Sequence, residues 1–235
     1  MSLLKLPFLL PQTAGMHRLM TPPAKSSDAE RLKPANWGEW LLYVTWPPIV
    51  IKTVLWLCGL AEAAVLGATQ YPTSPISKHV ISALIIDGSP TKIGITPLFV
   101  VGCLLIVVGV LVRVQAFRAL GNLFTFELSI RKEHKLVTTG PYAFVRHPSY
   151  TGLFMAYAGE LFCHASRGSW LRESGVLRTC LGAGIVSIWL LVAASIVVSL
   201  ILRISTEEGL LSQEMGKEWD EYVERVRYKL VPGFY

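Results

Sequence analysis

GITPLFVVGCLLIVVGVLV, residues 94–112, carries no charged side chain. An apolar run of this length reads as a helix crossing the hydrocarbon core of a bilayer, roughly 30 Å thick. Working outward, residues 41–66 (LLYVTWPPIV…AAVL) form an earlier run, interrupted by Lys52 and Glu62. Pro47 and Pro48 stand near its start, where they should kink or delay the helix. Two further runs follow. Tyr150–Ala165 is short and holds Glu160; Val176–Leu202 is long and carries only Arg178, near its start. The predicted fold is an all-α polytopic membrane protein with about four transmembrane helices, a polar loop at the cytoplasmic face and a C-terminal helical tail.

Composition agrees. Of the 235 residues 52% are hydrophobic and 16% charged, against about 25% charged in soluble domains. The net charge of +6 raises nucleic acid as a partner, but the basic residues are spread over several polar segments with no interleaved aromatics, so none is expected. The lipid bilayer is the better partner. Cys58, Cys103, Cys163 and Cys180 all lie in apolar stretches without a CxxC and read as small buried hydrophobes. The start, MSLLKLPFLLPQ, is apolar but broken by Pro7 and Pro11, a poor signal peptide and a candidate membrane-surface segment or remnant span. Residues 12–40 read as a loose polar tail, and residues 68–93 as a loop rich in Pro, Ser and Gly. The expected organisation is an amino-terminal tail (1–40), two transmembrane helices with their connection (41–112), and a core (113–235) of polar loop, helical hairpin and tail.

Four spans place the amino tail, residues 113–148 and the carboxyl tail on one side. That side holds Lys5, Arg18, Lys25, Arg31 and Lys33, then Arg113, Arg118, Arg131, Lys132, Lys135 and Arg146, then Arg203, Lys217, Arg225, Arg227 and Lys229. The other side holds only Lys78, Lys92, Arg167, Arg172 and Arg178. The excess of Lys and Arg makes the first side cytoplasmic.

Two polar blocks then share the cytoplasmic face, HKLVTTGPYAFVRHPSYTG from His134 and RISTEEGLLSQEMGKEWDEYVERV from Arg203. Together, in this order and with an apolar hairpin between them, they resemble the isoprenylcysteine carboxyl methyltransferases over about residues 113–235. The phospholipid methyltransferases share a similar carboxyl-terminal core. The resemblance implies an integral membrane enzyme, usually of the endoplasmic reticulum membrane, with its catalytic loop facing the cytoplasm. Such an enzyme uses S-adenosylmethionine to methylate the carboxylate of a carboxyl-terminal prenylated cysteine, so a prenylated protein or prenylcysteine would be its partner. By matching motifs it implies cofactor contacts at His134, Lys135, Leu136, Val137, Tyr142, His147, Pro148, Ser149 and Tyr150. It also implies one at Glu127, where Gln is the expected residue, and one at Glu207. Arg203 would face the substrate carboxylate and serve as the catalytic residue. No metal is implied. The chain departs from the family pattern at Trp219, where Tyr is usual, and at Arg227, where Pro often follows Arg-Val; before residue 94 no match is evident.

The residue types suit that chemistry. A sulfonium cofactor needs a carboxylate for its ammonium, polar partners for ribose and an aromatic or apolar wall for adenine. Residues 134–150 supply such a mixture on irregular backbone. The acceptor carboxylate is already ionised at neutral pH, so positioning suffices, and an Arg fork matches a carboxylate bidentately. Blander readings stand beside these. Arg203 closes an apolar helix and could simply snorkel to the headgroups. It could pair with Glu207 one turn on, although base before acid is the less favoured order. His147-Pro148 could be a turn that starts a helix, Gly140-Pro141 reads as another turn, and Tyr142, Phe144 and Tyr150 could be interface anchors. Glu160, inside a span, is a functional candidate by default, with Arg178 as a pairing option. A phospholipid amine methyltransferase and a non-catalytic membrane protein of the same fold remain alternatives. No GxGxxG before a strand, Ser-His-Asp set or zinc-ligand spacing occurs.

Overall fold

The computed structural model describes residues 2–21, 34, 37–44, 46–121 and 136–234. Glu127, His134 and Lys135 lie outside the described residues. Among the described residues all regular structure is helical: α1 (Leu6–Leu19), α2 (Trp37–Tyr43), α3 (Trp46–Ala68), α4 (Pro75–Leu84), α5 (Pro97–Leu120), α6 (Pro148–Ala165), α7 (Trp170–Glu173), α8 (Cys180–Met215) and α9 (Lys217–Arg225).

Three of these, α3, α5 and α8, are long and apolar enough to cross a membrane. The uncharged run at 94–112 becomes α5, and Pro97 sits at its first position, where the missing N–H costs nothing. Pro47 and Pro48 fall in the first turn of α3, so they begin the helix rather than kink it. The expected third run forms α6, a helix of 18 residues outside that group of three. At about 1.5 Å per residue, the 36 residues of α8 exceed a bilayer core of roughly 30 Å. Its apolar stretch ends at Leu202, and Arg203, Glu207 and Glu208 follow on the same helix.

Two segments expected to be irregular are helical. The 12–40 tail contains the second half of α1, whose first half lies in the candidate membrane-surface segment, and the start of α2; the 68–93 connection contains α4. Pro11 sits inside α1, yet the helix persists because tertiary partners hold it. Ser74-Pro75 opens α4 with proline in the first turn.

The chain divides into two compact units. One comprises Met1–His17, Pro48–Val107 and Met155–Val192; the other comprises Arg18–Pro47, Val108–Phe154 and Ala193–Tyr235. Segments of α5, α6 and α8 belong to each.

In the first unit α5 and α6 touch through glycine. A Cβ on Gly102 would stand 2.6 Å from the Gly159 carbonyl oxygen, and one on Gly159 would stand 2.5 Å from that of Gly102. Only glycine allows backbones so near, and close approach is how membrane helices gain dispersion energy without a hydrophobic drive between them. Around this contact the unit buries charge. Lys5 pairs with Glu62, donates to the Gly168 carbonyl at 2.9 Å and lies 4.2 Å from the centre of the Phe99 ring. Glu62 accepts from the Trp170 N–H at 3.0 Å. Gln12 Nε2 donates to Glu160 at 3.1 Å, and His164 Nε2 is 3.1 Å from the other oxygen of that carboxylate. Glu160 does not pair with Arg178, which takes Asp87 at 2.6 Å instead. A buried carboxylate shut off from water takes the polar partners within reach. All four cysteines are free; Cys58 and Cys163 are buried, but Cys180 is exposed, contrary to expectation, and Cys103 is intermediate.

In the second unit the same helix pair meets again, with a Cβ on Gly152 placed 2.6 Å from the Gly109 carbonyl. Arg113, one turn beyond Gly109, is buried there and donates to the Leu19 carbonyl at 3.1 Å and to the Ser149 carbonyl and hydroxyl, each at 2.8 Å. A hydrophobic cluster, Trp219, Tyr222 and Val226, gathers Leu136, Leu211, Met215 and Val223.

Candidate functional site

The second unit holds the predicted site residues that the structure describes. From Leu136 the chain runs without regular structure to Thr139, then turns. Gly140 adopts φ +62°, a conformation that favours glycine, and Pro141 sets the single 3-10 turn Gly140–Ala143. The Gly-Pro pair is thus the turn it was expected to be. Pro148 likewise begins α6, after His147 has left the helical region.

Leu136 packs against the Trp219–Tyr222–Val226 cluster, and Val137 follows it half-buried. The Tyr222 hydroxyl donates to the Tyr142 carbonyl at 2.8 Å, so the aromatic tail grips the turn. Trp219 in place of the usual Tyr keeps an aromatic in this cluster, edge-on to Tyr222 at 5.7 Å. Gly216, at φ +51°, makes the break between α8 and α9 that lets the tail fold back. Burial pushes the Tyr142 phenol well above its ordinary range, and the Glu207 carboxylate adds to it. Burial likewise pushes Tyr222 up to about 12. Both hydroxyls therefore stay protonated at neutral pH. Tyr142 is buried, so it is not an interface anchor, whereas Phe144 is exposed.

The two polar blocks meet at Tyr150 and Glu207. The Tyr150 hydroxyl donates to Glu207 Oε2 at 2.7 Å. The His147 ring stacks on Tyr150, with centroids 5.5 Å apart and planes 9° from parallel. Arg203, 6% exposed, brings its Nε to 4.0 Å from Glu207, one turn along α8. That is the outer limit of an ion pair and beyond hydrogen-bond distance. Glu207 is 31% exposed, the most open charged group of this set.

The structure therefore joins His147, Tyr150, Arg203 and Glu207, with Tyr142 in the field of Glu207. Ser149 is turned away, its hydroxyl and carbonyl both held by Arg113. Pro148 serves as the start of α6. Three further residues enter the site region. Arg113 and Arg146 read in the sequence as interface charges, yet both are buried and hydrogen-bonded. Glu208, beside Glu207, accepts from Arg146 Nε at 2.8 Å and His147 Nε2 at 3.2 Å, and pairs with Lys229 at 2.9 Å. The doubled glutamate was the one signal that could have pointed to it. No group of three or more His, Cys, Asp or Glu able to hold a metal occurs among the described residues.

Comparison with known proteins finds similarity over the same region. The model of the isoprenylcysteine carboxyl methyltransferase (ICMT) family matches residues 100–174, which include Leu136–Tyr150 and end before α8. Protein-S-isoprenylcysteine O-methyltransferase B of Arabidopsis thaliana is 32% identical over 129 residues, 53% of this chain and 55% of the relative. A probable protein-S-isoprenylcysteine O-methyltransferase of Oryza sativa is 30% identical over 128 residues, 54% of this chain and 57% of the relative. The protein-S-isoprenylcysteine O-methyltransferase of Saccharomyces cerevisiae is 44% identical over 57 residues, 23% of this chain and 24% of the relative. The chain thus spans about half the length of the plant relatives it matches. With the polar turn and its helix pair inside the matched segment, the chain is similar to the isoprenylcysteine carboxyl methyltransferase family over residues 100–174.

Proposed function

We propose that this protein methylates the carboxylate of a carboxyl-terminal prenylated cysteine, with S-adenosylmethionine as donor. The observation that carries the reading is the junction of the two blocks, where Tyr150 bonds Glu207 and a buried Arg203 stands one turn away. The relatives' names supply the reaction class.

The residues present fit the cofactor. A half-exposed carboxylate, Glu207, suits the ammonium of its amino-acid end; the stacked His147 and Tyr150 rings offer an aromatic face; Leu136 and Val137 add apolar wall. His134, Lys135 and Glu127 complete the proposed set on the family pattern, with backbone and side chains of Tyr142, Pro148 and Ser149 shaping the turn. When bound, the cofactor supplies an electrophilic methyl group.

Arg203 does the remaining work. A carboxylate acceptor is ionised at neutral pH, so no general base is needed. The guanidinium offers a planar fork that fixes a carboxylate in two dimensions, which a point charge does not. Its burial strengthens that grip by excluding water. Catalysis is then orientation of an already competent nucleophile.

On the same reading α6 joins α3, α5 and α8 as a fourth span. The Lys and Arg excess puts residues 113–148 and the carboxyl tail in the cytoplasm, in the endoplasmic reticulum membrane, whereas Lys5, counted with that side in the sequence, bonds the Gly168 carbonyl in the loop assigned to the other. Purified protein should transfer label from S-adenosylmethionine to a prenylated cysteine and not to phosphatidylethanolamine. Label on the lipid amine alone would overturn the carboxylate reading in favour of a phospholipid methyltransferase.

A further inference from the structure

We propose that Glu208 is a positioning residue that fastens the carboxyl-terminal strap, residues 226–230, onto the His147–Tyr150 turn, and through His147 sets the cofactor carboxylate Glu207; the proposal rests on the methyltransferase reading above.

The geometry points to it from both sides of one carboxylate. Glu208 takes Arg146 Nε at 2.8 Å and His147 Nε2 at 3.2 Å from the turn, and Lys229 Nζ at 2.9 Å from the strap. Arg146 itself reaches the strap a second way, donating Nη1 to the Val226 and Arg227 carbonyls at 2.7 and 2.8 Å. The backbones pair as well. The Arg146 N–H donates to the Tyr228 carbonyl at 3.0 Å, and the His147 N–H to that of Lys229 at 2.9 Å. The Thr151 hydroxyl closes the run on the Leu230 carbonyl at 2.7 Å. The strap thus lies along residues 146–151, and the only acidic group in these bonds is Glu208.

From Glu208 the effect passes to the site through two contacts. A carboxylate at Nε2 requires a proton on that nitrogen and fixes the ring plane of His147. That ring stacks on Tyr150, whose hydroxyl holds Glu207. Successive residues on a helix point about 100° apart. So Glu207 and Glu208 divide the work: the first is left open beside Arg203, and the second, 16% exposed, is used up in the clamp. A network of charge-assisted bonds of this kind fixes a geometry more than it adds stability.

Glu208→Gln tests this with two readouts. Hydrogen exchange at the Arg146 and His147 amides needs no cofactor and reports the strap directly. Calorimetric affinity for S-adenosylmethionine, with steady-state constants, reports the positioning. The expected result is faster exchange at both amides, and roughly tenfold to a hundredfold weaker cofactor binding, the scale of a misplacement near 1 Å. KM for the methyl donor should rise while KM for the prenylcysteine holds, a split that a merely structural residue would not produce. Should Glu208→Gln fail to fold, Lys229→Met removes one arm of the clamp and should show the same changes at a few-fold size. Unchanged exchange in the folded variant overturns the clamp. Lost protection with wild-type affinity overturns the positioning role alone. A wild-type protein that binds no S-adenosylmethionine overturns the methyltransferase reading and this role with it.

Discussion

Lys5, Glu62, Gln12 and Glu160 in one unit, and Arg203 and Glu207 in the other, are both sets of charged or polar groups on largely apolar helices, but their surroundings differ. Glu160 is 1% exposed and held on both oxygens; Lys5 is fully enclosed and bonded to a carboxylate and a carbonyl. Glu207 keeps 31% of its side chain open, with the Nε of the buried Arg203 4.0 Å away. A network that uses up its own charge needs no ligand and serves the fold. An open anion beside a buried cation can take a ligand of opposite sign. The contrast separates a buried carboxylate with a structural role, Glu160, from one suited to bind, Glu207.

The sharpest way to break this contrast is to cut the closed network. Lys5→Met leaves Glu62 buried without its cation, which should cost about 3–5 kcal/mol of stability. Thermal unfolding in detergent would show it, and the double variant Lys5→Met, Glu62→Leu should recover much of the loss. Cofactor affinity measured well below the transition should stay at the wild-type value. A normal melting temperature with weakened cofactor binding would make the first unit part of the site and end the distinction.

Next in size is Arg203→Lys, aimed at the open set. A snorkelling Arg tolerates Lys, because Lys reaches the headgroups and keeps its charge. A carboxylate fork does not. Methyl transfer should fall about a hundredfold, roughly 2.7 kcal/mol in the barrier, with cofactor affinity unchanged. Wild-type turnover of a prenylcysteine would return Arg203 to a headgroup role.

Glu207→Gln should act on the other partner. It keeps the shape and removes the charge, so cofactor binding should weaken by about 1–3 kcal/mol, or roughly 5- to 150-fold. The KM for prenylcysteine should not move. A Glu207→Gln variant with intact cofactor affinity and impaired substrate binding would reverse the two assignments on α8.

The parts of this molecule that follow from local chemistry were readable in the sequence. The uncharged run at 94–112 became α5, Gly140-Pro141 became a turn, and Pro148 began a helix, because each depends on residues adjacent in the chain. The helix over Leu6–Leu19 was legible only as a candidate membrane-surface segment or remnant span, because Pro7 and Pro11 interrupt it; Pro7 falls in its first turn, and the contact of Gln12 with Glu160 exists only in the folded chain. Arg113 and Arg146 counted only as charges near a membrane face. Their roles rest on backbone carbonyls of Leu19, Val226 and Arg227 that only the folded chain brings near. The family pattern pointed to Glu207 but said nothing of Glu208, since what separates them is about 100° of helix rotation and the choice of neighbours that follows.

The smallest expected effect sharpens the comparison at the tail of the open unit. Gly216 breaks α8 from α9 at φ +51°, ψ −120°, a region that only glycine enters readily. A Cβ there would meet no atom within 4 Å, so the cost of Gly216→Ala is backbone strain alone, about 1–3 kcal/mol. The strain acts on the turn that carries Trp219 and Tyr222 back to Leu136 and the Tyr142 carbonyl. Because the open site is assembled from this tail, a modest loss of stability should come with a few-fold weaker cofactor binding. The closed network has no such dependence, so alanine at Gly184, where a Cβ also meets nothing within 4 Å and no positive φ is required, should change neither quantity. Equal and negligible effects from both alanines would show that the tail turn relaxes without disturbing the Tyr142 contact, and would detach the site from the fold of α9.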